Sequence, residues 1–290
     1  KYSSMIFIAE VYKKELYAQY IRAIGFDYLY DKSGLYDTLR TVVDKCVNDN
    51  GMPVELWQST TGITRNWQFL GDLQPYMLNF LENHDEQRFA SDFFGGDAHK
   101  TFAPLYVSLF LNTAPFMIYF GEETGEKGMD EEGFSGCDGR STIFDWWSVG
   151  SVRRLRKLIA SGAYKSTSVS ALVKGGLKKE EAEIFLKFSK AVRFAAEDEA
   201  VRMGTTYDLC YCNMSSDGFD KNRHYAFLRD YEDHTLLIAA NFSAHDAVMK
   251  LTIPEHAFEW MGIPITEDMH PGKVIEVTVP SMDGAVITLI

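Results

Sequence analysis

The chain has 290 residues, 46% of them apolar and 24% charged, which is the balance of an ordinary globular protein of one or two domains. Its net charge of −12, from 41 acidic against 29 basic residues, argues against a nucleic-acid partner, which needs a basic footprint. No apolar run approaches the ~18 residues of a membrane span, so no membrane association is expected.

The first predicted element is a buried strand, Met5-Ile6-Phe7-Ile8-Ala9, ending in one acid, Glu10. Residues 13–24 read as a helix, with Leu16, Tyr20, Ile21 and Ile24 on one face and Gly25 as its stop. A short strand over 26–30 precedes a helix over 35–47, whose stripe runs through Leu35, Leu39, Val42, Val43, Cys46 and Val47. A polar stretch rich in Thr and Gly, 59–62, interrupts this pattern. Residues 76–81 form the next strand, 101–112 a strongly apolar helix and 115–120 a further strand that ends in Gly121-Glu122-Glu123. After a Gly-rich excursion over 124–150, helices resume at 151–161 and 179–196.

Past about residue 203 the pattern turns to antiparallel β. Runs at 225–231 and 235–241 make a hairpin around Asp233 and His234, and further strands cover 248–253, 274–279 and 286–290. The first half alternates strands and helices, the signature of βα units on a parallel sheet. Four such strands cannot close a barrel, which needs eight. Either the sheet is open or half of a barrel lies upstream.

The most informative stretch is Phe80-Leu81-Glu82-Asn83-His84-Asp85-Glu86-Gln87-Arg88. An apolar strand ends there in an amide, an imidazole, a carboxylate and a guanidinium, groups that are costly to collect unless something uses them. In parallel barrels the carboxyl ends of the strands carry the chemistry. Glu10 and Asp85, each delivered by a strand end, are the parts of a two-carboxylate glycosidase site, with Glu10 as acid and Asp85 as nucleophile on the plain template. Other candidates take bland readings. Glu122 and Glu123 belong to a turn, Trp146 and Trp147 to packing, and Cys46 to a buried stripe. Cys210 and Cys212 lie on one face of a strand without the partners of a zinc site.

FLENHDEQR resembles the seventh-strand motif of the alpha-amylase superfamily of glycoside hydrolases, family thirteen. FIAEVY is similar to its fifth-strand motif, PFMIYFGEETG to its eighth-strand segment, and RHYAFLRDYEDHTLLIAANFS to the first hairpin of its C-terminal β domain. The four segments stand in family order across nearly the whole chain. The resemblance implies an α/β fold: the second half of a (β/α)8 TIM barrel, strands five to eight, over 1–202, then an antiparallel β-sandwich over 203–290. It also implies a retaining glycosidase acting on α-1,4-glucans such as starch or maltodextrins. Glu10 then matches the general acid/base and Asp85 the acid that holds sugar hydroxyls and stabilises the transition state. His84 matches a sugar-binding imidazole, and Arg88 a basic residue that contacts a neighbouring glucose.

The family's nucleophile sits on strand four, upstream of everything seen here, so the chain is expected to be part of a longer protein and inactive by itself. The family pattern therefore displaces the plain assignment of Asp85 as nucleophile. No cofactor is expected in this chain; calcium belongs to a segment of the family that would lie upstream. Self-association through exposed strand edges is expected, and nothing fixes a compartment. The rival readings are a transglycosylase or isomerase of the same superfamily, and a catalytically silent relative that binds glucan or a protein.

Overall fold

The computed structural model describes residues 4–43, 59–128, 138–141 and 149–290. The expectations for Cys46, Trp146 and Trp147 lie outside them. Two compact units form: Lys1–Phe80 with Ala103–Met117 and Ala195–Ile290, and Leu81–Phe102 with Ile118–Phe194.

The first unit contains a four-stranded parallel sheet in chain order, β1 (Ile8–Ala9), β2 (Tyr28–Tyr30), β3 (Met77–Phe80) and β4 (Phe116–Met117). Its register pairs Ile8 with Tyr28, Leu29 with Met77 and Asn79 with Phe116. β3 is buried throughout, as a strand paired on both sides and covered on both faces must be. One polar residue interrupts it. The Asn79 side chain donates to Ser108 O and Asn112 Oδ1, which satisfies the amide nitrogen inside the core. Tyr17, Leu29, Leu70 and Met77 pack together against this sheet.

Between the strands run α1 (Asp37–Val42), α2 (Thr61–Leu70) and α3 (Phe102–Phe110). The helix expected over 13–24 forms over residues 14–24, opening as a tight 3-10 turn, Lys14–Leu16, and widening to π-helical geometry over Gln19–Ile24. Gly25 ends it as expected, at φ +90, with its N–H on Tyr20 O five residues back. α2 corrects the reading of 59–62 as an interruption. Ser59 Oγ accepts the Thr61 N–H, so these residues start a helix whose buried side carries Ile63, Asn66 and Leu70. The expectation that residues 5–9 are buried holds for Ala9 and fails for residues 5–8. Met5, Ile6, Phe7 and Ile8 are 44–64% exposed, because β1 is the sheet's edge and only its other side is covered.

The second unit is helical in its latter part, where α4 (Gly150–Ser161), α5 (Val169–Lys174) and most of α6 (Lys179–Glu197) share a core of Leu158, Leu172, Leu177 and Ala182. The Glu181 carboxylate, in the first turn of α6, takes the Arg154 guanidinium from α4.

Back in the first unit, α7 (Glu199–Met203) leads into a short strand that the sequence reading did not anticipate, β5 (Thr205–Asp208). The helical turn α8 (Cys210–Asn213) follows. Cys210 and Cys212 therefore lie on a helix, not on one face of a strand, and burial pushes both thiols above their ordinary pKa. The hairpin β6 (His224–Tyr231) and β7 (His234–Asn241) turns through Glu232-Asp233, and His234 belongs to the returning strand. β8 (Ala247–Thr252) pairs with β9 (Val274–Val279), and α9 (Glu255–Met261) lies between them in sequence. β10 (Asp283–Thr288) completes a sheet of order β10-β7-β6-β5. Leu228, Leu237, Met249, Leu251, Phe258 and Val277 form one core shared by these two antiparallel sheets and α9.

Candidate functional site

Three strands of the parallel sheet run directly into polar residues. Glu10 follows β1, is exposed, and accepts the Tyr12 hydroxyl. Its charge, after burial, is the second influence that raises the pKa of Tyr30, whose hydroxyl donates to Met117 Sδ at 3.4 Å.

Asp31 follows β2 and was missed by the sequence reading, although the same signal of a short apolar strand ending in an acid announces it. It is buried. Asn66 Nδ2 reaches its Oδ2 at 3.4 Å, while Oδ1 has no hydrogen-bond partner among the described residues. Burial pushes its carboxyl up to about 6, against the opposing pull of the Leu35 backbone N–H and the Lys14 charge. Gly34 stands so close that a Cβ there would meet Asp31 Oδ1 at 1.8 Å, so a side chain at position 34 is excluded.

Past β3, in the second unit, the segment Leu81–Arg88 divides into residues held inside and residues turned outward. Glu82, Asn83 and Arg88 are buried, whereas His84, Asp85, Glu86 and Gln87 are partly exposed. Asn83 Oδ1 accepts the N–H groups of both Asp85 and Glu86 at 2.9 Å, an Asx turn that bends the chain. Arg140 Nε holds the Asp85 carbonyl at 2.6 Å. At the tip, His84 Nε2 lies 3.4 Å from Asp85 Oδ2, with the two side chains 43% and 46% exposed.

Arg88 departs from its expected role. Its side chain is 0% exposed and every part of the guanidinium is committed: Nη1 to Glu82 Oε2 at 2.7 Å, Nε to Ser141 Oγ at 2.9 Å and Nη2 to Phe120 O at 2.7 Å. It also lies over the Tyr119 ring, 4.3 Å from the centroid. A guanidinium with all three nitrogens bonded inside the protein and no exposed surface cannot reach a sugar. Its partner Glu82 accepts the Phe89 N–H on the other oxygen at 2.6 Å. Burial holds the Glu82 carboxyl above its ordinary range despite Arg88, and burial with the neighbouring Glu82 charge raises Glu122 further. Glu122 and Glu123 lie in a one-turn helix, Glu122–Thr124, where Glu122 Oε2 accepts the Tyr119 N–H.

Among the described residues no group of three or more His, Cys, Asp or Glu side chains could hold a metal ion. No helix among them is long and apolar enough to cross a membrane.

No family model and no curated protein sequence matches this chain. Solved structures do. A debranching enzyme from Nostoc punctiforme superposes with a TM-score of 0.62 at 15% identity, over 98% of this chain and 52% of its own. An alpha-amylase from H. orenii gives 0.60 at 16% identity, over 98% and 53%. The alpha-amylase of Geobacillus thermoleovorans, complexed with acarbose, gives 0.59 at 15% identity, over 99% and 53%. The chain shares the fold of these enzymes. It spans about half the length of each. At such identities the likeness speaks for the fold and not for the side chains that do chemistry.

Proposed function

We propose that this chain carries part of the site of a retaining α-glycosidase of alpha-amylase type that acts on α-1,4-glucans such as starch or maltodextrins. The observation that carries the reading is the turn after β3, where a buried Glu82–Arg88 pair and the Asn83 amide hold His84 and Asp85 outward and half-exposed. Such a pair on a rigid base suits sugar hydroxyls, which need preorganised acceptors and donors. In this reading residues 1–202 supply strands five to eight of a catalytic barrel and 203–290 an antiparallel β domain.

Glu10 protonates the glycosidic oxygen as the C–O bond breaks and later takes a proton from water. Asp85 accepts hydrogen bonds from sugar hydroxyls as positive charge develops at the anomeric carbon. His84 donates to the sugar at the same subsite. Arg88 acts through the turn that it anchors, as a positioning residue. The covalent step requires a nucleophile that no residue of this chain is assigned, so the chain alone is inactive on this reading.

Incubation of the protein that contains this chain with maltoheptaose tests the proposal. Shorter maltooligosaccharides are expected. Longer products would instead assign a transglycosylase, and unchanged maltoheptaose a silent relative or another member of the superfamily.

A further inference from the structure

In the first unit an open groove of about 380 Å3 shares no residue with the proposed catalytic set. It is walled by α2 on one side and by α8 and α9 on the other, with β5 as its floor. Its volume is within the range of small-ligand sites, roughly 300–1,000 Å3.

Aromatic rings dominate the lining, and two of them face water. Trp260 is 56% exposed and Tyr211 52%. α9 explains the first: Ala257 and Phe258 anchor the helix in the core, which turns His256 and Trp260, four residues apart, to the groove. Tyr207 is buried beneath them and organises the set. Its hydroxyl is hydrogen-bonded to the Tyr211 hydroxyl and lies 3.2 Å from His256 Nδ1, and its ring centroid lies 5.9 Å from that of Trp260.

Polar groups stand at the rim of the rings. Asp208 is fixed by the Cys210 N–H on Oδ1 at 2.7 Å and by the Thr64 and Tyr225 hydroxyls on Oδ2. Oδ2 is saturated by these two hydroxyls, and Oδ1 keeps one acceptor site for a ligand. Gln68, exposed on α2, adds an amide with both donor and acceptor.

We infer that this groove binds a neutral α-linked glucan segment, with a pyranose ring stacked on Trp260 and Tyr211 and its hydroxyls bonded to Asp208 and Gln68. A pyranose presents an apolar C–H face and a rim of hydroxyls, which matches exposed ring faces bordered by acceptors and donors. The Asp208 charge disfavours phosphorylated sugars, nucleotides and acidic peptides. An open groove accepts an inner segment of a chain as well as its end. The choice of the α-1,4 linkage rests on the functional reading above; the stacking geometry does not.

The test follows the indole N–H resonances of 15N-tryptophan-labelled protein, with Trp260 assigned by its loss in Trp260→Ala. Titration with maltoheptaose is expected to shift the Trp260 signal. By calorimetry, Trp260→Ala and Tyr211→Ala are each expected to weaken this binding at least tenfold, and Trp260→Phe to restore most of it. Asp85→Asn should leave the Trp260 shift in place. Trp260 is more than half exposed, so the thermal melt of Trp260→Ala is expected to match the parent. The inference is overturned if the Trp260 signal stays still, or if Trp260→Ala and Tyr211→Ala bind maltoheptaose like the parent. It is also overturned if only cellohexaose binds, or if Trp260→Ala changes the oligomeric state by light scattering without affecting saccharide binding. Hydrolysis of maltoheptaose with an unmoved Trp260 signal sinks the groove alone. A shifted signal without hydrolysis sinks the glycosidase reading alone.

Discussion

Glu10 and Asp85 are given different tasks, and substitutions separate them. Glu10→Gln removes the proton that the leaving oxygen needs, so turnover on maltooligosaccharides should collapse. Activated fluorides or nitrophenyl glycosides should be spared in part, because their leaving groups need less protonation. Equal losses on both substrate types would show that Glu10 is not the acid. Asp85 is assigned to the transition state, where an interaction raises kcat and not ground-state affinity. Asp85→Asn should lower kcat by on the order of 10³, and His84→Asn by less, since an amide can replace a neutral donor. A raised KM with kcat unchanged would make Asp85 a uniform binder. Asp31 offers a test that does not depend on activity. Its folded-state pKa of about 6 lies above the ordinary 3.8, so the folded protein holds this proton more tightly than the unfolded chain. Stability therefore rises as pH falls through about 6 and levels off near 4. A shift of about two units corresponds to roughly 3 kcal/mol. Asp31→Asn should be more stable than the parent by up to that amount at pH 7, with the gap gone at pH 4. Urea midpoints across this range measure it, and a gap that does not change with pH refutes the assignment.

The turn after β3 is the element on which the site depends. Local sequence announced that it exists, because an apolar strand gives way abruptly to polar residues. It did not announce which of them face water. Arg88 looks like any accessible cation in sequence, yet its partners include Ser141 Oγ and Phe120 O, 53 and 32 residues away. Removing it would leave Glu82 buried without its counter-charge. Arg88→Ala is accordingly expected to cost about 3–5 kcal/mol in urea unfolding. Arg88→Lys should recover little of that loss, since one ammonium cannot span three separate acceptors. A variant as stable as the parent would mean that the clamp does not hold the turn. The misread elements have related causes. β5 is four residues with no apolar run, and Thr206 is secured there by its bond to Leu111 O. α2 begins with the Ser and Thr residues that, in isolation, resemble a loop.

For the whole molecule, the exposed run Met5 to Ile8, which leads into the edge strand β1, has the largest consequence. An apolar edge with unpaired backbone groups is a template for association. The 290-residue chain is expected to self-associate, and Ile6→Lys to shift it toward monomer. Light scattering at several concentrations checks this; a compact monomer for the parent chain would refute it. The strand-and-acid succession, the hairpin β6–β7 and the positions of Glu10, Asp85 and His84 at or just past strand ends were determined by sequence alone. Period-two runs, turn residues and abrupt changes of polarity act between neighbours, so they are legible in one dimension. Only the tertiary structure decided that Arg88 is enclosed, that Asp31 is buried beside Gly34, and that Tyr207, Tyr211 and Trp260 line one groove. These depend on which distant segments meet, because burial of a charge or a ring is set by packing partners and not by the residues beside it in the chain.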